Sequence, residues 1–152
     1  MRIQRLKTTE NPPMELLLTA DPSENNVREY LSKGQCYVVR KDNVVIGVYV
    51  LTQERQNKME LVNVAVLEHY QGQGIGTKMI QHAIANAQLQ GYQFIDVGTG
   101  NSSIDQLRLY QQCGFRMVKI RRDYFVENYN EPIYENGIQC RDMVRLSIPL
   151  RA

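Results

Sequence analysis

Six residues, Gln71-Gly72-Gln73-Gly74-Ile75-Gly76, separate a valine-rich run ending at Val66 from an amphipathic run that begins near Gly74. A strand that passes through glycines into a helix presents backbone amides at the positive end of a helix dipole, and that arrangement binds phosphate. The glycines let the backbone approach a phosphate without side-chain obstruction. Residue order argues against two common phosphate loops. A nucleoside-triphosphate loop needs Gly-Lys followed by Ser or Thr, and here Gly76 is followed by Thr77 and then Lys78. The dinucleotide fingerprint needs Gly or Ala at its third glycine position, which Thr77 occupies. Asp96 lies about where that fingerprint's ribose-binding acid would stand. Several elements precede this turn, however, whereas the fingerprint ordinarily follows the first strand of its fold.

A candidate proton acceptor lies just upstream. Side chains alternate along a strand, so Glu60 is expected on the same side as Val62, Val64 and Val66. An acid on an otherwise apolar face is unusual, and burial there would bring a carboxyl toward the range of a working base. The same alternation assigns Asn63 to the opposite face, as a hydrogen-bonding core residue. His69 and His82 have no partners at ligand spacing, and Cys36, Cys113 and Cys140 fit no metal template, so no metal is expected. The odd cysteine count also argues against a disulfide framework. Met1-Arg2-Ile3-Gln4-Arg5 lacks the apolar core of a signal peptide, which makes a reducing cytoplasm the expected location. A net charge of +2 with no basic stripe excludes a nucleic-acid footprint. No apolar run approaches the length of a membrane span.

These residues need elements to hold them. At 152 residues the chain is expected to be one domain over 1–152 with a core of its own. Met1 to Lys7 reads as a short first strand, Pro12-Pro13 as the start of a helix, and Asp21-Pro22-Ser23-Glu24 as caps for a second helix over Glu24 to Ser32. Gln35 to Arg40 and Val44 to Thr52 flank Lys41-Asp42-Asn43 and read as a hairpin, followed by a strand from Lys58 to Val66. After the glycine turn, Ile75, Met79, Ile80, Ala83, Ile84 and Ala87 recur at helical spacing until Gly91. Gln93 to Gly98 is a short strand. Ser103 and Gln106 stand at capping-box spacing for a helix over Ile104 to Cys113. Strands over Phe115 to Ile120 and Asp142 to Leu150 enclose a long connection, Arg121 to Arg141. The order βααβββαβαββ predicts an α/β sandwich with a mixed sheet.

The turn also fits Gln/Arg-x-x-Gly-x-Gly/Ala through Gln71, Gly74 and Gly76. Glu-Leu-Val-Asn-Val-Ala-Val precedes it, a long helix follows, and Leu109-Tyr110-Gln111-Gln112-Cys113-Gly114-Phe115 downstream looks like a Leu-Tyr-x-x-x-Gly-Phe signature. Over roughly Lys58 to Phe115 the chain therefore resembles the GNAT superfamily of acetyl-CoA-dependent N-acyltransferases. The resemblance implies a mostly antiparallel central sheet with helices on both faces, an αβα sandwich. It implies that backbone amides of Gln71, Gly72, Gln73, Gly74, Ile75, Gly76 and Thr77 hold the pyrophosphate of acetyl-CoA. The pantetheine arm would lie along Val64, Ala65 and Val66, where two parallel strands splay. Glu60 stands eleven positions before Gln71, where several members carry a glutamate base. Tyr110 matches a tyrosine that in many members protonates the departing thiolate. Many members also carry an asparagine seven residues before that tyrosine to touch pantetheine. Here that position is Ser103, with Asn101 two residues earlier, and either could make the contact. Dimers are common in the family, so the resemblance allows a homodimer.

Acetyl transfer to an amine meets a protonation barrier. An alkylamine with a pKa of about 10.4 is only about 0.04% neutral at pH 7, a penalty of roughly 4.6 kcal/mol, so a base is useful. Tyr110 is less suited to full proton transfer. An ordinary phenol near pKa 10 giving its proton to a thiolate near 8.5 works about 1.5 units uphill, so the hydroxyl could instead only orient the sulfur. The connection from Arg121 to Arg141 holds Tyr124, Phe125, Tyr129 and Tyr134 with Asp123, Glu127, Glu131 and Glu135. Acids beside aromatic rings suit a cationic acceptor. Part of this connection, Asp123 to Tyr129, could be a short helix. The expected function is direct transfer from acetyl-CoA to a small-molecule primary amine. A peptide or protein amine, or a non-catalytic acyl-CoA sensor on the same scaffold, are the alternatives.

Overall fold

The computed structural model describes residues 2–151. Strand β1 (Arg2–Arg5) precedes helices α1 (Met14–Ala20) and α2 (Glu24–Lys33). Strands β2 (Gln35–Lys41), β3 (Val44–Arg55) and β4 (Lys58–Val66) follow. A 3-10 turn (Glu68–Tyr70) leads into α3 (Ile75–Leu89), then β5 (Phe94–Gly100), α4 (Ile104–Gln112) and β6 (Arg116–Arg121). The chain closes with a short helix α5 (Tyr124–Asn128), a hairpin of β7 (Ile133–Glu135) and β8 (Ile138–Cys140), and β9 (Met143–Pro149). Met1, the first residue of the expected first strand, lies outside the described residues.

Seven strands form a sheet in the order β1-β2-β3-β4-β5-β9-β6, in which β4 and β5 run parallel and the other pairs antiparallel. Helix α3 forms as its periodicity predicts, burying Met79, Ile80, Ala83 and Ala87 against Leu51, Met59, Leu61 and Ile95 on one face. Each fully buried Leu, Ile or Met side chain there contributes about 1.5–3 kcal/mol. The other face is covered by Leu16 and Leu17 of α1 and Val27 of α2, packed on Val38, Val48, Val50 and Ala65. Among the described residues no helix is long and apolar enough to cross a membrane.

Two irregularities of β4 matter for function. Its pairing with β5 runs from Lys58↔Phe94 to Leu61↔Val97 and stops there. Beyond that point β4 stays with β3 as far as Val66, and β5 stays with β9 as far as Gly100. A wedge therefore opens between two parallel strands. The second irregularity is a bulge. Val50 of β3 pairs with Asn63 and Leu51 with Leu61, which leaves Val62 unmatched. An extra residue reverses the alternation beyond it. Val64 and Val66 pack with the α3 side of the sheet, while Val62, Asn63 and Ala65 lie on the α1–α2 side. Glu60, opposite Thr52, is on that α1–α2 side as well. The expectation that Glu60 shares a face with Val64 and Val66, opposite Asn63, is thus corrected. Strict alternation holds only while the ladder is unbroken.

The connection between β6 and β9 is also more ordered than its composition suggested. Its hairpin turns through Asn136 and Gly137, both at positive φ (54° and 73°). That Asn-Gly turn is a strong hairpin signal in the sequence, and it marks the element the strand count missed.

Candidate active site

The glycine turn has the predicted form. Gly72 and Gly74 have φ of +77° and +82°, a region that side-chain-bearing residues adopt at a penalty. A Cβ added at either would meet nothing within 4 Å, so the space over the turn is open. Among the described residues the amides of residues 72–77 donate to no backbone carbonyl, and Gly74 caps α3 without a side-chain cap. The turn thus offers a row of unpaired donors at a helix N-terminus, which fits a pyrophosphate. The Gln71 side chain steadies it by donating from Nε2 to the Val66 carbonyl at 3.0 Å.

The wedge between β4 and β5 opens into a cavity of about 610 Å³. Val64 of β4, Gly98 and Thr99 of β5, and Ser103 and Tyr110 of α4 border it, as does Glu60. The structure thereby brings together two residues 50 positions apart in the chain, Glu60 and Tyr110. Tyr110 is 6% exposed, and its hydroxyl makes no hydrogen bond among the described residues. Burial, with a smaller push from Cys113, raises the phenol well above its ordinary range, so it stays protonated. Ser103 is the N-cap residue of α4, but its Oγ does not close a capping box. It donates to Glu135 Oε1 at 2.9 Å, alongside Ser102 at 3.2 Å. Asn101 is engaged elsewhere. Its Oδ1 accepts from the amides of Arg141 and Asp142, and its Nδ2 donates to the Gln139 carbonyl. Of the two pantetheine candidates, Ser103 borders the cavity and Asn101 pins the start of β9.

Glu60 is not an isolated acid on an apolar face. Arg145 of β9 donates from Nη1 to Glu60 Oε2 at 2.8 Å, and from Nη2 to Glu54 Oε1 at 2.9 Å and Asp96 Oδ2 at 3.5 Å. Lys58 reaches the same Asp96 oxygen at 3.0 Å. Burial works against the Arg145 charge, but Glu60, Glu54 and Asp96 outweigh it and raise its pKa. Nothing in the sequence reading singled out Arg145. It lies between Val144 and Leu146 in the last strand, where alternation alone assigns it to solvent.

The far wall comes from the α1–α2 connection and from α5. Asp21 accepts from Tyr129 at 2.8 Å and from Tyr30 at 3.4 Å. Asn63 donates to Tyr30 at 2.8 Å and to the Leu17 carbonyl at 3.0 Å. Burial first, and Asp21 second, hold the Tyr129 hydroxyl in its protonated form. Tyr124, Phe125, Tyr129 and Glu135 border the cavity as their aromatic-acidic composition suggested, whereas Tyr134 is 66% exposed and Asp123 pairs with Arg141. Asp21 and Tyr30 were legible only as a cap and a helix residue. The acids on the cavity wall are Asp21, Glu29, Glu60 and Glu135, against Lys33 as a cation, itself 3.6 Å from Glu29.

Known proteins resemble the chain over nearly its whole length. The model of the Acetyltransferase (GNAT) family matches residues 3–115. An uncharacterised N-acetyltransferase of Bacillus subtilis (strain 168) is 48% identical over 150 residues, covering 99% of this chain and 97% of that protein. The structure superposes on an IAA acetyltransferase from Bacillus cereus ATCC 14579 with a TM-score of 0.94 at 50% identity, covering 98% of this chain and 99% of that one. A GNAT family acetyltransferase from Elizabethkingia anophelis with acetyl-CoA bound gives 0.96 at 42% identity, covering 98% and 97%.

Proposed function

The chain belongs to the acetyltransferase (GNAT) family, and on that premise we propose that it transfers the acetyl group of acetyl-CoA directly to a small, positively charged primary amine, with Glu60 as base. The observation that carries this reading is the convergence of Glu60 and Tyr110 on one cavity where β4 and β5 separate. Acetyl-CoA supplies the acetyl group as a thioester. The amides of residues 72–77 hold its pyrophosphate, the Gln71 amide being taken by the Glu68 carbonyl, and the free edge of β4 from Val64 to Val66 lies along the pantetheine arm, with Ser103 beside it. Amides of that edge polarise the thioester carbonyl.

Glu60 receives the ammonium proton, directly or through a water, so that the nitrogen lone pair can form the C–N bond; as the C–S bond breaks, the second nitrogen proton passes to the departing thiolate, which leaves as coenzyme A thiol. Tyr110 stands at the leaving sulfur. Because burial makes its phenol still harder to ionise than in water, Tyr110 acts by donating a hydrogen bond rather than by releasing its proton outright. The balance of charge on the wall, four carboxylates against a paired lysine, favours a cationic acceptor over an anionic one. Tyr129 and Asp21 join α5 to the α1–α2 connection across the acceptor side, which favours a small amine over an open peptide groove.

The test is release of coenzyme A thiol across a panel of amines and peptides, with wild type and Glu60→Gln compared. We expect turnover with small cationic amines and a fall of about 10²–10⁴-fold in Glu60→Gln at unchanged coenzyme A affinity. Undiminished turnover in Glu60→Gln would remove the base assignment. Turnover with peptide amines alone would overturn the small-molecule acceptor.

A further inference from the structure

We propose that Arg145 is the positioning residue of Glu60, and that it sets where the base stands at the split between β4 and β5. This inference rests on the reading of Glu60 as the base. Arg145 belongs to β9, which is separated from β4 by β5. To reach Glu60 its side chain must cross β5, and it does so at Gly98, its own partner in the β5–β9 ladder. A Cβ at Gly98 would lie 2.8 Å from Met143 Sδ and 3.3 Å from Arg145 Nη1. The glycine is needed there for space, not for backbone conformation.

The guanidinium then meets three carboxylates from three strands, Glu54 on β3, Glu60 on β4 and Asp96 on β5. A planar fork of five N–H donors can satisfy several carboxylates at fixed angles, which a lysine ammonium cannot reproduce. Asp96 is held in turn by Lys58. Glu60 is bonded through Oε2, while Oε1 has no hydrogen-bond partner among the described residues. The charged and titratable groups facing Glu60 are Arg145, Glu54, Lys58, Asp96 and, from α5, Tyr124. Three acids against two cations leave one negative charge in excess where a cationic amine would arrive. Arg145 therefore orients one oxygen of the base and leaves the other for the acceptor.

The experiment is a double-mutant cycle read as kcat, as coenzyme A affinity and as the pH dependence of kcat/KM. It combines Arg145→Gln, Arg145→Lys and Gly98→Ala with Glu60→Gln. Arg145→Gln is expected to lower kcat about tenfold or more and to move the acid limb of the profile up, because a carboxylate deprived of a neighbouring cation is harder to ionise. Arg145→Lys should return the limb toward its wild-type position without restoring kcat. Coenzyme A affinity should stay constant throughout, and in the Glu60→Gln background each Arg145 change should have little further effect. If Arg145→Gln does not fold, Arg145→Lys and Gly98→Ala carry the same cycle, since both retain every charge. Additive losses with an unmoved acid limb would reduce Arg145 to a structural tie and overturn the proposal. An unaffected Glu60→Gln would instead remove the base assignment beneath it.

Discussion

The turn from Gln71 to Thr77, the proposed cofactor end of the site, is steadied by side chains that reach only four or five residues along the chain, Gln73 to His69 and Gln71 to Val66. At the acceptor end, the contacts join residues 108 positions apart in Tyr129 and Asp21, and 85 apart in Arg145 and Glu60. On the proposed function, the first region binds with backbone amides whose direction is set by local φ and ψ. The second binds with side chains delivered from α1, α2, β3, β4, β5, α5 and β9. The contrast teaches where change is tolerated. Side chains on α5 and the α1–α2 connection can be exchanged, altering the acceptor, while the turn and α3 stay as they are.

That contrast can be broken by perturbing one end and reading both. Short of removing the proposed base itself, the largest effect is expected from Gly74→Val, which forces a β-branched residue to φ +82°. A left-handed L-residue is disfavoured by about 1–2 kcal/mol, so coenzyme A affinity should fall about tenfold or more by calorimetric titration, with acceptor KM nearly unchanged. An equal rise in acceptor KM would show that the two ends are not separable. Asp21→Asn should do the reverse. It removes a wall charge held by two tyrosines, and acceptor KM should rise about three- to tenfold, in line with 0.5–1.5 kcal/mol for a lost polar interaction, with coenzyme A affinity retained. An acceptor KM that does not move would take Asp21 out of the acceptor site.

The smallest effect sharpens the boundary between the two ends. Tyr110→Phe should lower kcat about two- to tenfold, the range of one neutral hydrogen bond. Because burial holds the Tyr110 phenol protonated beyond its ordinary pKa of about 10, the basic limb of the pH–rate profile should be the same in wild type and Tyr110→Phe. A basic limb that disappears in the variant would mean that Tyr110 does transfer its proton.

Much of the scaffold was legible because it is locally encoded. The α3 helix, bounded by Gly74 and Gly91, follows from its apolar period, and the β2–β3 hairpin follows from Asp42 and Asn43, both at positive φ in the structure. The β7–β8 hairpin was equally encoded, in Asn136-Gly137, but its strands are three residues each and too short for an alternating pattern to register. Ser103 is the N-cap residue of α4, but the capping box suggested by its spacing to Gln106 does not form: its hydroxyl donates to Glu135 on that hairpin and accepts from no helix amide.

By itself, then, the sequence determined the glycine turn, the helix behind it and the presence of an acid on β4, since each depends on conformations that neighbouring residues impose on one another. Tertiary structure alone decided what that acid faces. The bulge at Val62 reverses the alternation of β4, the separation of β4 from β5 after Leu61 opens the cavity, and Arg145 reaches Glu60 only because Gly98 leaves a path across the strand between them. Each of these is a relation between strands distant in the chain, fixed by how ladders register against one another, and no local pattern of residue types carries it.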